Sequence, residues 1–288
     1  MPEGPEIRRS ADRLAKVLVG HTVNEVFFYH EHLRAYAPVL SGSKVVSISS
    51  RSKAMITAFD CDLSVYTHNQ LYGRWYVCRQ GKTPRTQRSL RFAIETHISR
   101  ALLYSASDIE VWQSNEIDQH PYLSKLGPDA LDQQTSVADV LAQMESSRFA
   151  GRALAGLLLD QSFVAGLGNY LRSEILFFAQ LHPSLKPRDL DTRQKNLLAE
   201  TILRVTRLAY ATAGVTNFPD QVNALRTKGM RREQYRFAVF ARACKPCYLC
   251  RAKIQRSTMS ARRIYVCPEC QRKPRVSASQ RTIQSDCA

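Results

Sequence analysis

The chain has 288 residues, 44% hydrophobic and 9% aromatic, with 41 Lys and Arg against 25 Asp and Glu, a net charge of +16. That is enough apolar material for one to three packed domains and excludes disorder throughout. No apolar run approaches the roughly 20 residues of a membrane span, and the charged start MPEGPEIRRS has no secretory apolar core, so a cytoplasmic protein clear of membranes is expected.

In chain order, residues 5–19 predict an amphipathic helix, because Ile7, Leu14, Val17 and Leu18 share a face and Gly20 supplies a stop. Strand patterns follow at 22–28, 44–49, 54–59, 63–67, 74–78, 88–95 and 101–104, separated by short turn signals. Seven short strands in so few residues predict a β-sandwich or barrel, closed by a short helix around 108–113. Leu126-Gly-Pro-Asp reads as linker, after which helical periodicity takes over at 137–144, 152–160, 169–180 and 191–210. Residues 214–229 read as an irregular connection and 235–240 as a strand leading into a basic, cysteine-rich unit. The expected division is 1–124 (helix plus sandwich), 125–135 (linker), 136–230 (helical), 234–271 (cysteine unit) and 272–288 (a flexible basic tail).

Charge is concentrated at the C-terminal end. Residues 226–281 hold 16 basic and 2 acidic side chains, whereas residues 1–225 hold 25 and 22. Such a block attracts a polyanion, nucleic acid above all. The bland reading is a solubilising tail. Of the eight cysteines, Cys247-x-x-Cys250 and Cys267-Pro-Glu-Cys270 form two knuckles, sixteen residues apart, with room between them for a β-hairpin. Two such knuckles present four thiolates to one tetrahedral zinc. Disulfides are disfavoured in a chain without a leader, and a redox pair leaves the second knuckle unexplained. Cys244 offers a competing CxxC with Cys247, and Cys61 and Cys78 read as apolar strand residues. Four thiolates leave no open coordination position, so the zinc is expected to be structural.

Two further segments could carry chemistry. Removal of Met1 before the small Pro2 frees a secondary amine, nucleophilic when neutral, with Glu3 and Glu6 beside it to move protons. The bland reading is a proline opening the first helix, with glutamates favouring its dipole. The segment Asp160 to Asn169 joins two helices through Gly166 and Gly168. Asn169 is a natural N-cap, and a phosphate could sit on such a helix start. An ordinary capped helical hairpin explains the same residues.

MPEGPEIRR at the start, Leu167-Gly-Asn-Tyr-Leu-Arg-Ser-Glu174, and the cysteine knuckles with Tyr265-Val-Cys-Pro-Glu-Cys270 occur in this order. The set resembles the formamidopyrimidine-DNA glycosylase/endonuclease VIII family, on its bacterial endonuclease VIII branch, over residues 1–271. The resemblance implies an α+β multidomain fold: an N-terminal helix plus β-sandwich, a helix–two-turn–helix domain and a C-terminal zinc ribbon, with DNA in the basic cleft between the halves. It implies that Pro2 attacks C1′ of a damaged nucleotide, that Glu3 donates a proton and assists ring opening, and that Lys53 assists proton transfer and binds phosphate. Arg262, at the zinc hairpin tip, would bind flanking phosphates and serve δ-elimination; Asn169 would bind phosphate; and Glu6, Arg172 and Glu174 would support these groups. Gln70, Leu71 and Tyr72 would fill the gap left by an extruded nucleotide. Lys125 stands where the branch has a phosphate-binding arginine, and loses its bidentate geometry. Without the resemblance, Lys53 is a solvated lysine and Gln70–Tyr72 a turn.

The implied function is base-excision repair by a monomeric, bifunctional DNA N-glycosylase/AP lyase. It would remove oxidised pyrimidines from double-stranded DNA by β,δ-elimination, with one zinc ion as its metal. The purine-excising branch of the family is the near alternative, although it usually has Leu where this chain has Gly4. A non-catalytic zinc-ribbon DNA-binding protein would explain the basic block and cysteines but not Pro2-Glu3. An RNA-processing enzyme is a third reading, without an RNA-recognition motif to favour it.

Overall fold

The structure, a computed structural model, describes residues 2–272; Met1 and the predicted tail beyond Arg272 lie outside the described residues. Helix α1 (Gly4–Leu18) starts at Pro5 and buries Ile7, Leu14 and Leu18, each at most 2% exposed. Each such side chain contributes about 1.5–3 kcal/mol. The apolar stripe seats α1 on a sandwich of two antiparallel sheets whose inner faces supply Val26, Phe28, Val65, Phe92 and Leu103.

One sheet has the order β1 (Val23–Phe28), β6 (Leu90–Thr96), β7 (Ser99–Tyr104), β5 (Arg74–Arg79). The other runs β2 (Val45–Arg51), β3 (Ala54–Phe59), β4 (Leu63–His68), β8 (Asp108–Gln113). The expected helix at 108–113 is therefore a strand. Ile109, Val111 and Trp112 favour a pleated surface, and the β4 ladder, from Leu63↔Gln113 to His68↔Asp108, satisfies its backbone. Between β1 and β2 the chain makes a 3₁₀ turn (Glu31–Tyr36) and α2 (Ala37–Leu40), which the sequence reading missed.

The second half packs α3 (Val137–Glu145), α4 (Ser147–Ala150), α5 (Leu154–Leu157), α6 (Asn169–Phe178) and α7 (Thr192–Ala211) around Phe163, Leu171, Ile175, Leu198 and Ile202. Ser136 and Asp191 cap α3 and α7 through capping boxes. The helix expected over 152–160 shrinks to the single turn α5, its chain tied back by Leu154 N–H to the Leu185 carbonyl and Ala155 N–H to that of Pro183. The connection expected to be irregular holds α8 (Pro219–Thr227), started by its proline, and is followed by α9 (Arg232–Tyr235).

Residues 235–240 form no strand. The N–H groups of Ala238, Val239 and Phe240 instead converge on the fully buried Glu174 carboxylate at 2.9 Å each, and the Thr216 hydroxyl donates to it at 2.6 Å. That carboxylate offers these N–H groups stronger partners than a sheet edge would. The hairpin between the knuckles forms as expected, as β9 (Gln255–Met259) and β10 (Arg262–Val266). Ile264 and Val266 enter the helical core, so the hairpin is fastened to that half by burial as well as by its cysteines. Among the described residues no helix is long and apolar enough to cross a membrane.

Candidate active site

Four chain segments meet at Glu3. Glu3 itself precedes α1 and is 1% exposed. Its Oε1 accepts from Tyr170 N–H at 2.8 Å and its Oε2 from Leu171 N–H at 3.3 Å, the free donors at the start of α6. Asn169 is thus not the cap. Gly168 holds that position and Asn169 is the first helical residue, while the anion on the helix start is Glu3 rather than a phosphate. Two glycines allow this approach. A Cβ on Gly168 would lie 2.3 Å from the Glu3 carboxyl carbon, and one on Gly4 would lie 2.9 Å from Gly166 Cα and O.

The β2–β3 turn brings Lys53 from the sandwich. Ser52 takes φ 59° there, and its N–H donates to Asp129 Oδ2 at 2.7 Å. The Ser52 hydroxyl donates to Gln161 Oε1 at 3.0 Å, pairs with Tyr122 OH at 2.9 Å and accepts from Gly166 N–H at 3.1 Å. Gln161 Nε2 then donates to the carbonyls of Leu159 and Leu167. Ser52, Asp129, Gln161 and Tyr122 were invisible in the sequence, since their pairing joins segments 70 to 114 residues apart. The only local signal was the tight serine-lysine turn.

The fourth segment is the β9–β10 tip, where Ser260 and Ala261 both take positive φ, 53° and 57°, before Arg262. Arg262 is exposed, yet its charge is felt by Lys53 and Arg172. Burial pushes the Glu3 carboxyl up to about 7, against the opposing pull of Lys53 and the Tyr170 N–H. Burial also pulls the Lys53 ammonium down to about 8, with Glu3 working to raise it and Arg262 to lower it further. Burial thus moves the acid up and the ammonium down, toward each other, so that a proton can pass between them at little cost.

Glu6 lies one helical turn along α1. Its carboxylate accepts from Glu3 N–H at 3.0 Å, Tyr170 OH at 3.2 Å and Arg236 Nη2 at 3.0 Å. Glu174 does not touch this junction. By gathering residues 238–240 it supports the segment that returns Arg236 to Glu6. Pro2 is half-buried and opens onto a cleft of about 1160 Å³, lined also by Glu6, Arg9, Arg13, Lys16, Leu71, Tyr72, Arg74 and Arg88. The cations of this wall belong to the weakly charged N-terminal half, so a local charge count could not reveal them.

Gln70, Leu71 and Tyr72 form the β4–β5 turn. Gln70 takes φ 49°, and its N–H donates to His68 Nδ1 at 3.0 Å. His68 is held neutral by burial and by Lys53, down to about 4, so that nitrogen stays an acceptor. Leu71 and Tyr72 are 55% and 70% exposed, two apolar side chains held out over the cleft. Lys125 is exposed and lines a separate cavity of about 660 Å³ with His68, Gln70 and Gln161.

The Sγ atoms of Cys247, Cys250, Cys267 and Cys270 all lie within 4.8 Å of one another. Cys247 and Cys270 are 3.9 Å apart, Cys250 and Cys267 3.3 Å. Four sulfurs held at about 2.3 Å by a tetrahedral ion would be about 3.8 Å apart, so this donor set fits a metal. Cys244 is exposed and outside the cluster. Cys61 and Cys78 are half-buried, less enclosed than expected.

The sequence profile of the formamidopyrimidine-DNA glycosylase N-terminal domain matches residues 1–106, and that of the formamidopyrimidine-DNA glycosylase H2TH domain matches residues 126–219. Endonuclease 8 of Salmonella arizonae is 43% identical over 272 residues, 94% of this chain and all of the relative; that of Shigella sonnei is 43% identical over 271 residues, with the same coverage. Among solved structures, MutM in complex with DNA containing carbocyclic 8-oxo-G superposes at a TM-score of 0.78 and 20% identity, over 94% of this chain and 100% of that one. Lactococcus lactis formamidopyrimidine-DNA glycosylase, bound non-covalently to DNA containing an AP site, gives the same TM-score, identity and coverage. The chain belongs to the formamidopyrimidine-DNA glycosylase/endonuclease VIII family, the DNA glycosylase/AP lyases of base-excision repair.

Proposed function

We propose that the chain excises oxidised pyrimidines from double-stranded DNA and cuts the strand by β,δ-elimination through a Schiff base on Pro2. The observation that carries this reading is the buried Glu3 carboxyl, next in sequence to Pro2 and facing the charge of Lys53, with Pro2 itself on the wall of an open, cationic cleft. After removal of Met1, the lone pair of the Pro2 nitrogen attacks C1′. The glycosidic bond breaks, and a proton supplied from Glu3 allows the sugar ring to open. The resulting iminium acidifies the C2′ hydrogen, whose loss expels the 3′ phosphate. A second elimination expels the 5′ phosphate, and water frees Pro2. Lys53 exchanges protons with Glu3, and with Arg262 and Asn169 it holds the phosphates.

Leu71 and Tyr72, exposed at the cleft rim, replace the extruded nucleotide in the stack, with Gln70 at the base of their turn. Lys125 meets the backbone further along. Cys247, Cys250, Cys267 and Cys270 hold one zinc ion, which bound there fixes the hairpin carrying Arg262 and has no open position for substrate. The chain acts as a cytoplasmic monomer, divided at the boundaries read from the sequence.

Gly4, packed so that a Cβ would lie 2.9 Å from Gly166, is in keeping with the pyrimidine-excising branch, since the purine-excising branch usually has leucine there. Incubation with duplexes carrying single oxidised pyrimidines or purines, with product termini resolved, tests the proposal. Phosphate on both termini of a one-nucleotide gap, with pyrimidine lesions cut faster, is expected. Preference for purine lesions, or an intact strand, would refute it.

A further inference from the structure

Arg172, in the first turn of α6, is fully buried, and among the described residues no carboxylate pairs with it. Its terminal nitrogens donate instead to five oxygens. Nη1 reaches the Ala155 carbonyl at 2.8 Å and that of Met259 at 3.2 Å. Nη2 reaches Asn169 Oδ1 at 2.8 Å and the carbonyls of Arg262 and Arg263 at 3.4 and 3.0 Å. Its Nε has no partner among the described residues. Burial and the charge of Arg262 lower its pKa to about 10, which still leaves it charged at neutrality.

A buried cation whose hydrogen bonds all go to neutral oxygens, with the Glu3 carboxylate acting on it only at longer range, is an expensive way to hold a fold, and an apolar side chain of similar volume would serve packing as well or better. The acceptors show what the cation does that an apolar side chain cannot. Three of them, the carbonyls of Met259, Arg262 and Arg263, flank the β9–β10 tip on both sides. The tip also leans on α5, where a Cβ on Gly156 would lie 2.9 Å from Ser260 Oγ. The fourth, Asn169, has a side chain whose two ends look alike but bond oppositely. A guanidinium only donates, so the atom facing Arg172 must be the amide oxygen. The amide nitrogen is thereby turned away, and among the described residues it has no partner.

We propose that Arg172 is a positioning residue: it locks the Asn169 amide with its N–H₂ outward and fixes the backbone at Arg262, so that both donors meet the phosphates of bound DNA as a pre-set pair. This rests on the functional reading above and assigns Arg172 no contact with DNA. Flipping the amide or freeing the tip would cost phosphate contacts without touching Pro2, Glu3 or Lys53.

The test measures affinity for a duplex containing a tetrahydrofuran abasic analogue across a salt series, for the full chain and for Arg172→Met, Asn169→Ala and the double variant. Zinc content and melting temperature are recorded for each. Arg172→Met should weaken binding about tenfold or more and reduce the slope of log K against log salt by about one, the signature of a lost phosphate contact. Asn169→Ala should weaken binding less and leave the slope near wild type, because a neutral amide displaces no counterion, and the double variant should be at most about twofold worse than Arg172→Met, which already loses the oriented amide. Arg172→Lys, which cannot serve all five acceptors, should retain zinc and fold yet show the reduced slope, and it carries the test if Arg172→Met does not fold.

Wild-type affinity and slope in a folded Arg172 variant, or losses that add fully in the double variant, would overturn the proposal while leaving the functional reading intact. A wild-type chain that neither binds this duplex nor cleaves a true abasic site would overturn that reading, and the proposal with it.

Discussion

Two hairpin tips approach the Glu3 junction from opposite halves of the molecule, one delivering Lys53, whose charge Glu3 feels, and the other Arg262, whose charge Lys53 feels. Both are two-residue turns closing antiparallel pairs, Arg51↔Ala54 around Ser52-Lys53 and Arg262↔Met259 around Ser260-Ala261. Their anchoring differs. The first is fastened by side chains, the Ser52 hydroxyl and the Asp129 carboxylate, and it buries its cation. The second is fastened through backbone carbonyls on Arg172 and leaves its cation exposed. Burial brings the Lys53 ammonium down to about 8, where it can exchange protons, whereas the exposed Arg262 guanidinium offers a planar fork of donors for phosphate. One fold motif thus supplies proton transfer from one side and electrostatic grip from the other.

Substitution at the two tips should separate those roles. Lys53→Met should lower base excision by about 10²–10⁴-fold in single-turnover assays, far more than the loss of one phosphate contact lowers DNA affinity. Arg262→Met should chiefly weaken binding and flatten its salt dependence. Equal losses in both parameters for both variants would erase the distinction.

Glu3→Gln probes the anion between the tips. A carboxyl whose folded pKa is about 7 against an ordinary 4.5 keeps its proton in the folded state, so stability falls as pH rises between those values. The variant should therefore be more stable than wild type at pH 8, on the order of 1–3 kcal/mol by urea unfolding, and its advantage should shrink toward pH 5. Base excision should fall sharply, while cleavage of a preformed abasic site persists. A variant less stable at pH 8 would mean that Glu3 is held as a stabilised carboxylate.

Ser52→Ala removes the fastening of the first tip. It should cost about 0.5–1.5 kcal/mol, because Tyr122 OH loses its partner while Gln161 Oε1 and Gly166 N–H keep each other at 3.1 Å, and should slow excision severalfold with zinc retained. The smallest effect belongs to the second half: Cys244→Ser should leave metal content at about one zinc per chain, whereas Cys250→Ser should lose it.

What the sequence made legible follows from where each signal is local. The apolar stripe of α1, the short apolar strand β3 and the two cysteine knuckles are fixed by near neighbours, and each was found in place. Residues 108–113 and 235–240 were misread because distant partners decide them: the β4 ladder in one case, the Glu174 carboxylate in the other. The same holds at the site. Asn169 looked like a cap because short polar residues usually cap themselves, and nothing in its surroundings announces that Glu3, over 160 residues away, supplies the carboxylate. Motif resemblance picked out the distant residues Glu3, Lys53, Asn169 and Arg262 as one set. It did not show which bonds hold them, and Ser52, Asp129 and Gln161 emerged only from the fold.

The central claim is that the N-terminal amine of Pro2 is the nucleophile at this junction. The direct test is trapping with borohydride, which reduces an iminium to a stable amine. The chain should form a borohydride-dependent crosslink with abasic-site duplex, mapping to a terminal peptide that lacks Met1. Retaining Met1 or adding an N-terminal tag should abolish the crosslink and spare binding, because an amide nitrogen is not nucleophilic. A crosslink that survives N-terminal blocking and disappears in Lys53→Ala would move the nucleophile to the β2–β3 tip and contradict the account.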